Sequence, residues 1–357
     1  SLDANTTGTD NTAIGDNALG ANTTADYNTA VGANALLANT TGASNTAIGQ
    51  GSLASNTTAS NNTAVGVSSL YANTTGTGNT AVGQNAGIAI TTGDNNTIVG
   101  KLAGDAITTG GANVAIGEDA LSALTTNSNN TAIGQGSLEA NTGTSNTAVG
   151  QGAMAVNSSG GYNVAVGVAA LDANTTASNN VAIGFNALTA NTTGAHNTGI
   201  GQAALGATNT GGYNVAVGST ALDANTTASY NVAVGYGSLT ANSTGASNTA
   251  LGNNALSANT TASDNVAVGA AALGVNTTGN KQVAIGGTAL DANTTGGSNT
   301  AVGYGALSAN TTANYNTAVG RDALLLNTTG ANNVAVGANA LDALTTVSNT
   351  VAVGKSA

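Results

Sequence analysis

The chain has 357 residues with 4 Lys or Arg, 15 Asp or Glu and 1 His, a formal net charge of -11, and no Cys, Pro or Trp. The lack of cysteine excludes disulfides, thiolate metal sites and cysteine nucleophiles, and four cations cannot build a basic track for nucleic acid. We therefore predict a non-enzymatic protein without catalytic, cofactor-binding or metal-binding residues, and the lack of a run of about 18 apolar residues predicts no membrane insertion.

A short segment repeats along the whole chain, beginning with Asn11-Thr12-Ala13-Ile14-Gly15. Its glycine, which we call the repeat glycine, occurs 21 times up to Gly354, and 19 of the 20 intervals are 17 residues long. The exception is a step of 16 residues, and the missing residue falls at Asn141-Thr142-Gly143. We expect this deletion to lie in a turn and to be absorbed locally.

The repeat begins with β-branched residues and contains no helical stripe of apolar positions, which favours strands. It has no Asn-Gly or Asp-Gly turn for a hairpin meander, and 17 residues are too few for a βαβ unit of about 30. We therefore predict an all-β fold, a parallel β-solenoid (β-roll) of about 21 coils with a 17-residue repeat, as one continuous domain over residues 1–357.

The first predicted element of each coil is a strand that ends at the repeat glycine. The residue before that glycine is Val or Ile in 20 of 21 copies, and two residues earlier the chain carries Thr or Val. Both lie on one face of a strand, so we expect residues such as Val166 and Ile183 to form the core. The Ala between them and the repeat glycine would then form a smooth outer strip for self-association, which includes Ala165, Ala182 and Ala216.

After the strand, Leu follows four residues beyond the repeat glycine and should complete the core. Next comes Asn-Thr-Thr, whose Asn is replaced by Ile or Leu in several copies. Ile90 and Ile107 occur where the Leu position holds Gly87 and Gly104, as if one volume replaced another. We therefore predict that this Asn points inward as an amide ladder and is not glycosylated. The alternative is an Asn that only starts a turn.

The variable positions predict the solvent-facing surface. All four cations, His196 and seven of the eight Tyr lie directly after the repeat glycine or two residues before the next strand. We interpret His196 as a solvated surface residue. The aspartates that share the position after Leu are mostly three or more coils apart, too far to bind one Ca²⁺; they are Asp3, Asp172, Asp223, Asp291 and Asp342.

The repeat, for instance Asn45 to Leu53, resembles the NTAxGxxAL-type repeats of bacterial surface adhesins and phage tail-fibre proteins. It is also similar to the coils of trimeric autotransporter adhesin heads, which are left-handed parallel β-rolls, although its period of 17 is longer. The resemblance implies a structural fibre or filament segment of an extracellular appendage, adhesin or viral fibre. Its location would be extracellular, on a cell surface or on a virion.

The implied partners are copies of the chain itself and a cell-surface or glycan receptor. A second hypothesis is an ice-binding β-solenoid that uses Thr ladders. That function requires a flat Thr array facing outward, whereas the facing predicted above places the strand Thr on the core side.

Overall fold

The computed structural model describes all 357 residues and contains strands but no helix. It divides into two compact units, residues 1–179 (unit 1) and 180–357 (unit 2). In each unit, every coil contributes one three-residue strand that pairs in parallel with the next coil, as in Thr29↔Thr46, Ala30↔Ala47 and Val31↔Ile48. The predicted all-β parallel β-solenoid with a 17-residue repeat is confirmed.

The strands of unit 1 pair in chain order and are Thr12–Ile14 (β1), Thr29–Val31 (β2), Thr46–Ile48 (β3), Thr63–Val65 (β4), Thr80–Val82 (β5), Thr97–Val99 (β6), Val114–Ile116 (β7), Thr131–Ile133 (β8), Thr147–Val149 (β9) and Val164–Val166 (β10). Those of unit 2 pair likewise and are Val181–Ile183 (β11), Thr198–Ile200 (β12), Val215–Val217 (β13), Val232–Val234 (β14), Thr249–Leu251 (β15), Val266–Val268 (β16), Val283–Ile285 (β17), Thr300–Val302 (β18), Thr317–Val319 (β19), Val334–Val336 (β20) and Val351–Val353 (β21).

Each coil closes on itself because several residues adopt positive φ. The repeat glycine has φ near 135°, and a Cβ placed on Gly83 would lie 2.5 Å from the carbonyl oxygen of Gly100 in the next coil. The Leu position also has positive φ, 50° at Leu53. A non-glycine residue in this region is strained by about 1–3 kcal/mol, which burial of the Leu side chain, worth about 1.5–3 kcal/mol, offsets.

The strand faces are the reverse of the sequence prediction. Ala165, Ala182 and Ala216 are fully buried, whereas Val166 is half-buried and Ile183 is 38% exposed. The prediction was wrong because it used hydrophobicity alone. The inside of the coil is already filled by Leu and Asn side chains and leaves room only for a methyl group.

One exception shows that volume is the deciding factor. Ile98 points inward in place of Ala, and it does so beside Gly104, which replaces Leu. A Cβ on Gly104 would lie 3.0 Å from Ile98 Cδ1 and 2.9 Å from Ile107 Cδ1. Similarly, a Cβ on Gly87 would lie 3.0 Å from Ile90 Cδ1. The predicted exchange of volume between the Leu and Asn positions is therefore confirmed.

The Asn of Asn-Thr-Thr points inward, as predicted. Asn39 is fully buried, and its Nδ2 donates to Asn22 Oδ1 at 3.1 Å and to the carbonyl of Gly42 at 2.9 Å. The Asn directly before 19 of the 21 strands forms a second ladder that the sequence analysis missed, with Gln282 and Thr350 at the other two positions. Asn28 Oδ1 accepts from the backbone N–H of Asn45 at 3.0 Å, and Asn28 Nδ2 donates to the same Gly42 carbonyl at 3.0 Å.

The 16-residue coil keeps this arrangement. Asn157 Nδ2 donates to Asn141 Oδ1 at 2.6 Å, and Asn146 N–H donates to Asn130 Oδ1 at 3.0 Å. Strands β8 and β9 stay in register, with Thr131 opposite Thr147. The deletion is therefore confined to a turn, as expected.

Candidate interaction surface

Each strand presents its first and third residues to the outside of the coil, on either side of the buried Ala. We call these positions, in all strands of a unit, the outward face. Ile48 is 40% exposed and Leu251 is 48% exposed on this face. Because the strands pair in register, like side chains stack in ladders on a repeated spacing of about 4.8 Å.

The outward face carries no charged residue, since only Thr, Val, Ile and one Leu occur at its positions. Its Thr hydroxyls, such as those of Thr46 and Thr63, have no hydrogen-bond partner within the protein. In contrast, the Thr40 hydroxyl in the Asn-Thr-Thr turn donates to the carbonyl of Thr57 at 3.0 Å. The outward face therefore combines exposed methyl groups with hydroxyls that are available to solvent or a ligand.

The two units differ in the polarity of this face. In unit 1, eight of the ten strands begin with Thr, whereas in unit 2 seven of the eleven begin with Val. Exposed aromatic side chains also follow the repeat glycine in unit 2, namely Phe185, Tyr236 and Tyr304. Unit 2 therefore offers the more apolar surface.

His196 lies on the surface of unit 2, in a row that we call the tyrosine row, two residues before each strand. Its ring stacks on Tyr213 with centroids 4.7 Å apart, and Tyr213 stacks on Tyr230 at 5.3 Å. The stack places no acid or nucleophile on the imidazole. It is an aromatic ladder along the surface.

Of the aspartates after Leu, Asp3 is exposed and the other four are half-buried. Desolvation by burial raises the pKa of Asp172, Asp223 and Asp291, and backbone hydrogen bonds partly oppose this at Asp172 and Asp291. Two ion pairs whose cations are exposed, Lys101–Glu118 at 3.2 Å and Arg321–Asp322 at 2.8 Å, contribute little to stability. No three acidic or histidine side chains come together as a metal-binding group.

A helix that could cross a membrane is absent from the structure. No protein-family model matches the chain, and no curated protein is detectably similar to it in sequence. The assignment of a function therefore depends on the geometry of the outward face and the surfaces beside it.

Proposed function

We propose that this chain is a structural segment of an extracellular fibre, surface adhesin or viral fibre, and that copies of it associate through the outward face. The observation that supports this proposal is the uninterrupted, charge-free surface of Val, Ile, Leu and Thr side chains on consecutive strands of each unit. The Ala and Gly strip predicted from sequence cannot serve as the interface, because Ala165, Ala182 and Ala216 are buried.

The size of the face supports association. Ten strands of three residues, spaced by about 4.8 Å and about 10 Å long, give unit 1 an outward face on the order of 450 Å². This lies within the range of about 300–600 Å² for the largest apolar patch on a typical soluble monomer, a patch that is often functional. Covering such a surface removes apolar side chains from water, which is the main driving force for association.

A second copy of the chain suits the face better than an unrelated partner does. The outward ladders repeat every coil, so another copy has the same spacing and its side chains can interdigitate along the whole length. The charge distribution also permits this contact, because none of the 15 acidic residues lies on the outward face. The resemblance to repeats of adhesins and tail fibres agrees with this mode of assembly.

Two neighbouring outward residues provide the test. Val234 and Leu251 lie opposite each other on β14 and β15. Val234→Lys with Leu251→Lys should convert the assembly to monomers in sedimentation-velocity experiments while the circular dichroism spectrum is retained. Thr227→Lys with Thr244→Lys, which adds the same charge to exposed positions away from the face, should leave assembly unchanged. Equal dissociation by both pairs, or a monomeric wild-type protein, would contradict the proposal.

Ice binding is the second candidate, and the correction of the strand facing favours it. The Thr ladders of unit 1 lie outward with unpaired hydroxyls beside Val and Ile methyl groups. Such a regular array could order water. Thermal hysteresis by the monomeric wild type, lost in Thr46→Lys with Thr63→Lys, would support this function, whereas oligomers without hysteresis would support the structural role.

A further inference from the structure

A polar groove in unit 2 lies beside the tyrosine row, between the turns of three successive coils. It has a volume of about 340 Å³, and Lys281, Ser298 and Tyr315 border it on one side. Pockets that bind small molecules begin at roughly 300 Å³. The groove shares no residue with the outward face, so its role does not depend on the proposed self-association.

The groove is open at Ser298 because this small residue lies between Lys281 and Tyr315 in the tyrosine row. Lys281 and Tyr315 occupy the tyrosine row two coils apart, which corresponds to about 10 Å. Tyr315 is 65% exposed and has no aromatic neighbour. Tyr213, in contrast, is stacked against a ring in each adjacent coil. Tyr315 therefore offers a free ring face toward the space at Ser298.

Two fixed amide groups line the same groove. Asn280 Oδ1 accepts the backbone N–H of Ser263 at 2.6 Å, and Asn314 Oδ1 accepts that of Gly297 at 2.6 Å. These bonds hold the amides in place, while neither Nδ2 has a partner in the protein. The groove thus presents two oriented amide donors to a ligand.

The charge of the groove is positive although the whole chain is acidic. Lys281 forms no ion pair, whereas Lys101 and Arg321 each have a carboxylate partner. The neighbouring carboxylate, Asp264, lies one coil before Lys281 in the tyrosine row, on the side away from Ser298. The ammonium and both amides are hydrogen-bond donors, which suits the oxygens of an anionic group.

We infer that this groove binds an acidic sugar residue, a pyranose that carries a carboxylate. The apolar face of the sugar ring would lie on Tyr315, since aromatic side chains combine apolar area with a defined geometry. The carboxylate would accept hydrogen bonds from Lys281 and the Asn amides. The hydroxyls of Thr278 and Thr295, which also line the groove, have no partner in the protein and can bond to the sugar hydroxyls.

The inference can be tested by ligand-observed NMR titration of the full chain with glucuronic acid, glucose and acetate. The expected order of affinity is glucuronic acid, then glucose, with acetate weakest because it lacks the ring. Tyr315→Ala should weaken glucuronic acid binding by about fivefold, the loss expected for one aromatic contact. Lys281→Met should remove the preference for glucuronic acid over glucose, and Asp264→Asn should strengthen glucuronic acid binding.

Tyr27→Ala provides the matched control. Tyr27 lies in the same row of unit 1 and is 64% exposed, but its neighbours in the row are Asp10 and Ser44. This variant should bind as the wild type does. The inference fails if the wild type binds none of the three compounds, if acetate binds as well as glucuronic acid, or if Tyr315→Ala has no more effect than Tyr27→Ala.

Discussion

Ala216 and Val217 are adjacent in one strand and meet different surroundings. The Ala216 methyl group is fully buried against the packed interior of its coil, whereas Val217 lies on the outward face. Strands β2 to β20 repeat this division, so a substitution at the middle residue of a strand tests the fold and one at the third residue tests the surface.

We predict that Ala216→Glu destabilises the protein by about 3–5 kcal/mol, because it buries an unpaired charge in a space that fits only a methyl group. Val217→Glu should change the free energy of unfolding by no more than about 1 kcal/mol. Urea unfolding followed by circular dichroism measures both. Equal destabilisation would mean that the two sides of the strand are not divided in this way.

A second residue-scale prediction concerns Asp223. Burial raises the pKa of this carboxyl in the folded state above its ordinary value of 3.8. The folded protein therefore holds the proton more strongly, so this contribution to stability is present below pH 3.8 and is lost as the pH rises through the folded pKa. Asp223→Ser, a change to a residue found at this position in other coils, should raise the Tm at neutral pH.

The advantage of Asp223→Ser should shrink as the pH approaches 3, where the wild-type carboxyl is protonated in both states. Melting curves at several pH values measure the difference. Asp16→Ser, at an exposed position, is the control and should leave the Tm unchanged. A gain that persists unchanged at low pH would show that desolvation of the charge is not its cause.

At the scale of the coil, the ladder formed by the Asn of Asn-Thr-Thr is interrupted wherever another residue replaces Asn, and its hydrogen bonds all run in one direction. Each Nδ2 donates to the Asn of the preceding coil, so the last Asn of a run keeps an acceptor without a donor. Asn73, which precedes Ile90, and Asn327, which precedes Leu344, both have a buried Oδ1 with no partner. The unpaired amide oxygen at the end of each run therefore destabilises the protein, and the Ile or Leu of the next coil must offset this cost.

This suggests a double-mutant cycle in one coil. Ile90→Asn gives Asn73 Oδ1 a donor but empties the space beside Gly87, and should cost about 2–5 kcal/mol. Gly87→Leu alone should overpack against Ile90, at about 1–3 kcal/mol. Together they recreate the common Leu and Asn coil, with Gly87 already at φ 57°. We expect the double variant to recover most of the stability that each single variant loses. If the two losses in the free energy of unfolding by urea simply add, the two positions are not coupled.

Periodicity, strand position and the inner Asn could be predicted from sequence, because each depends on the repeat or on a visible exchange such as Gly87 with Ile90. The strand facing could not, because Val and Ala are both apolar and only the width of the coil separates them. The pairing of Ile98 with Gly104 was the one sequence signal of that width. The groove at Ser298 depends on residues from three coils in variable positions, which the consensus does not describe.

At the scale of the whole molecule, the charges and the apolar surface are separated. The net charge of -11 comes from residues outside the outward face. The repulsion between copies is therefore electrostatic, acts at long range and is screened by salt, whereas the attraction comes from apolar contact at the outward face.

We predict that association strengthens when NaCl rises from about 50 to about 500 mM, because salt screens the repulsion between acidic copies. It should weaken on cooling, as apolar association does. Sedimentation velocity at several salt concentrations and temperatures measures the dissociation constant. Dissociation at high salt would show instead that ion pairs hold the copies together.

The stacking of the coils also has a mechanical consequence. The backbone bonds and Asn ladders that join one coil to the next run along the stacking direction, so a pulling force along that direction loads them one coil at a time. Each coil that detaches frees 17 residues, about 55–60 Å of extended chain. Such a chain would yield in many small equal steps and would lengthen under tension without losing the coils that remain.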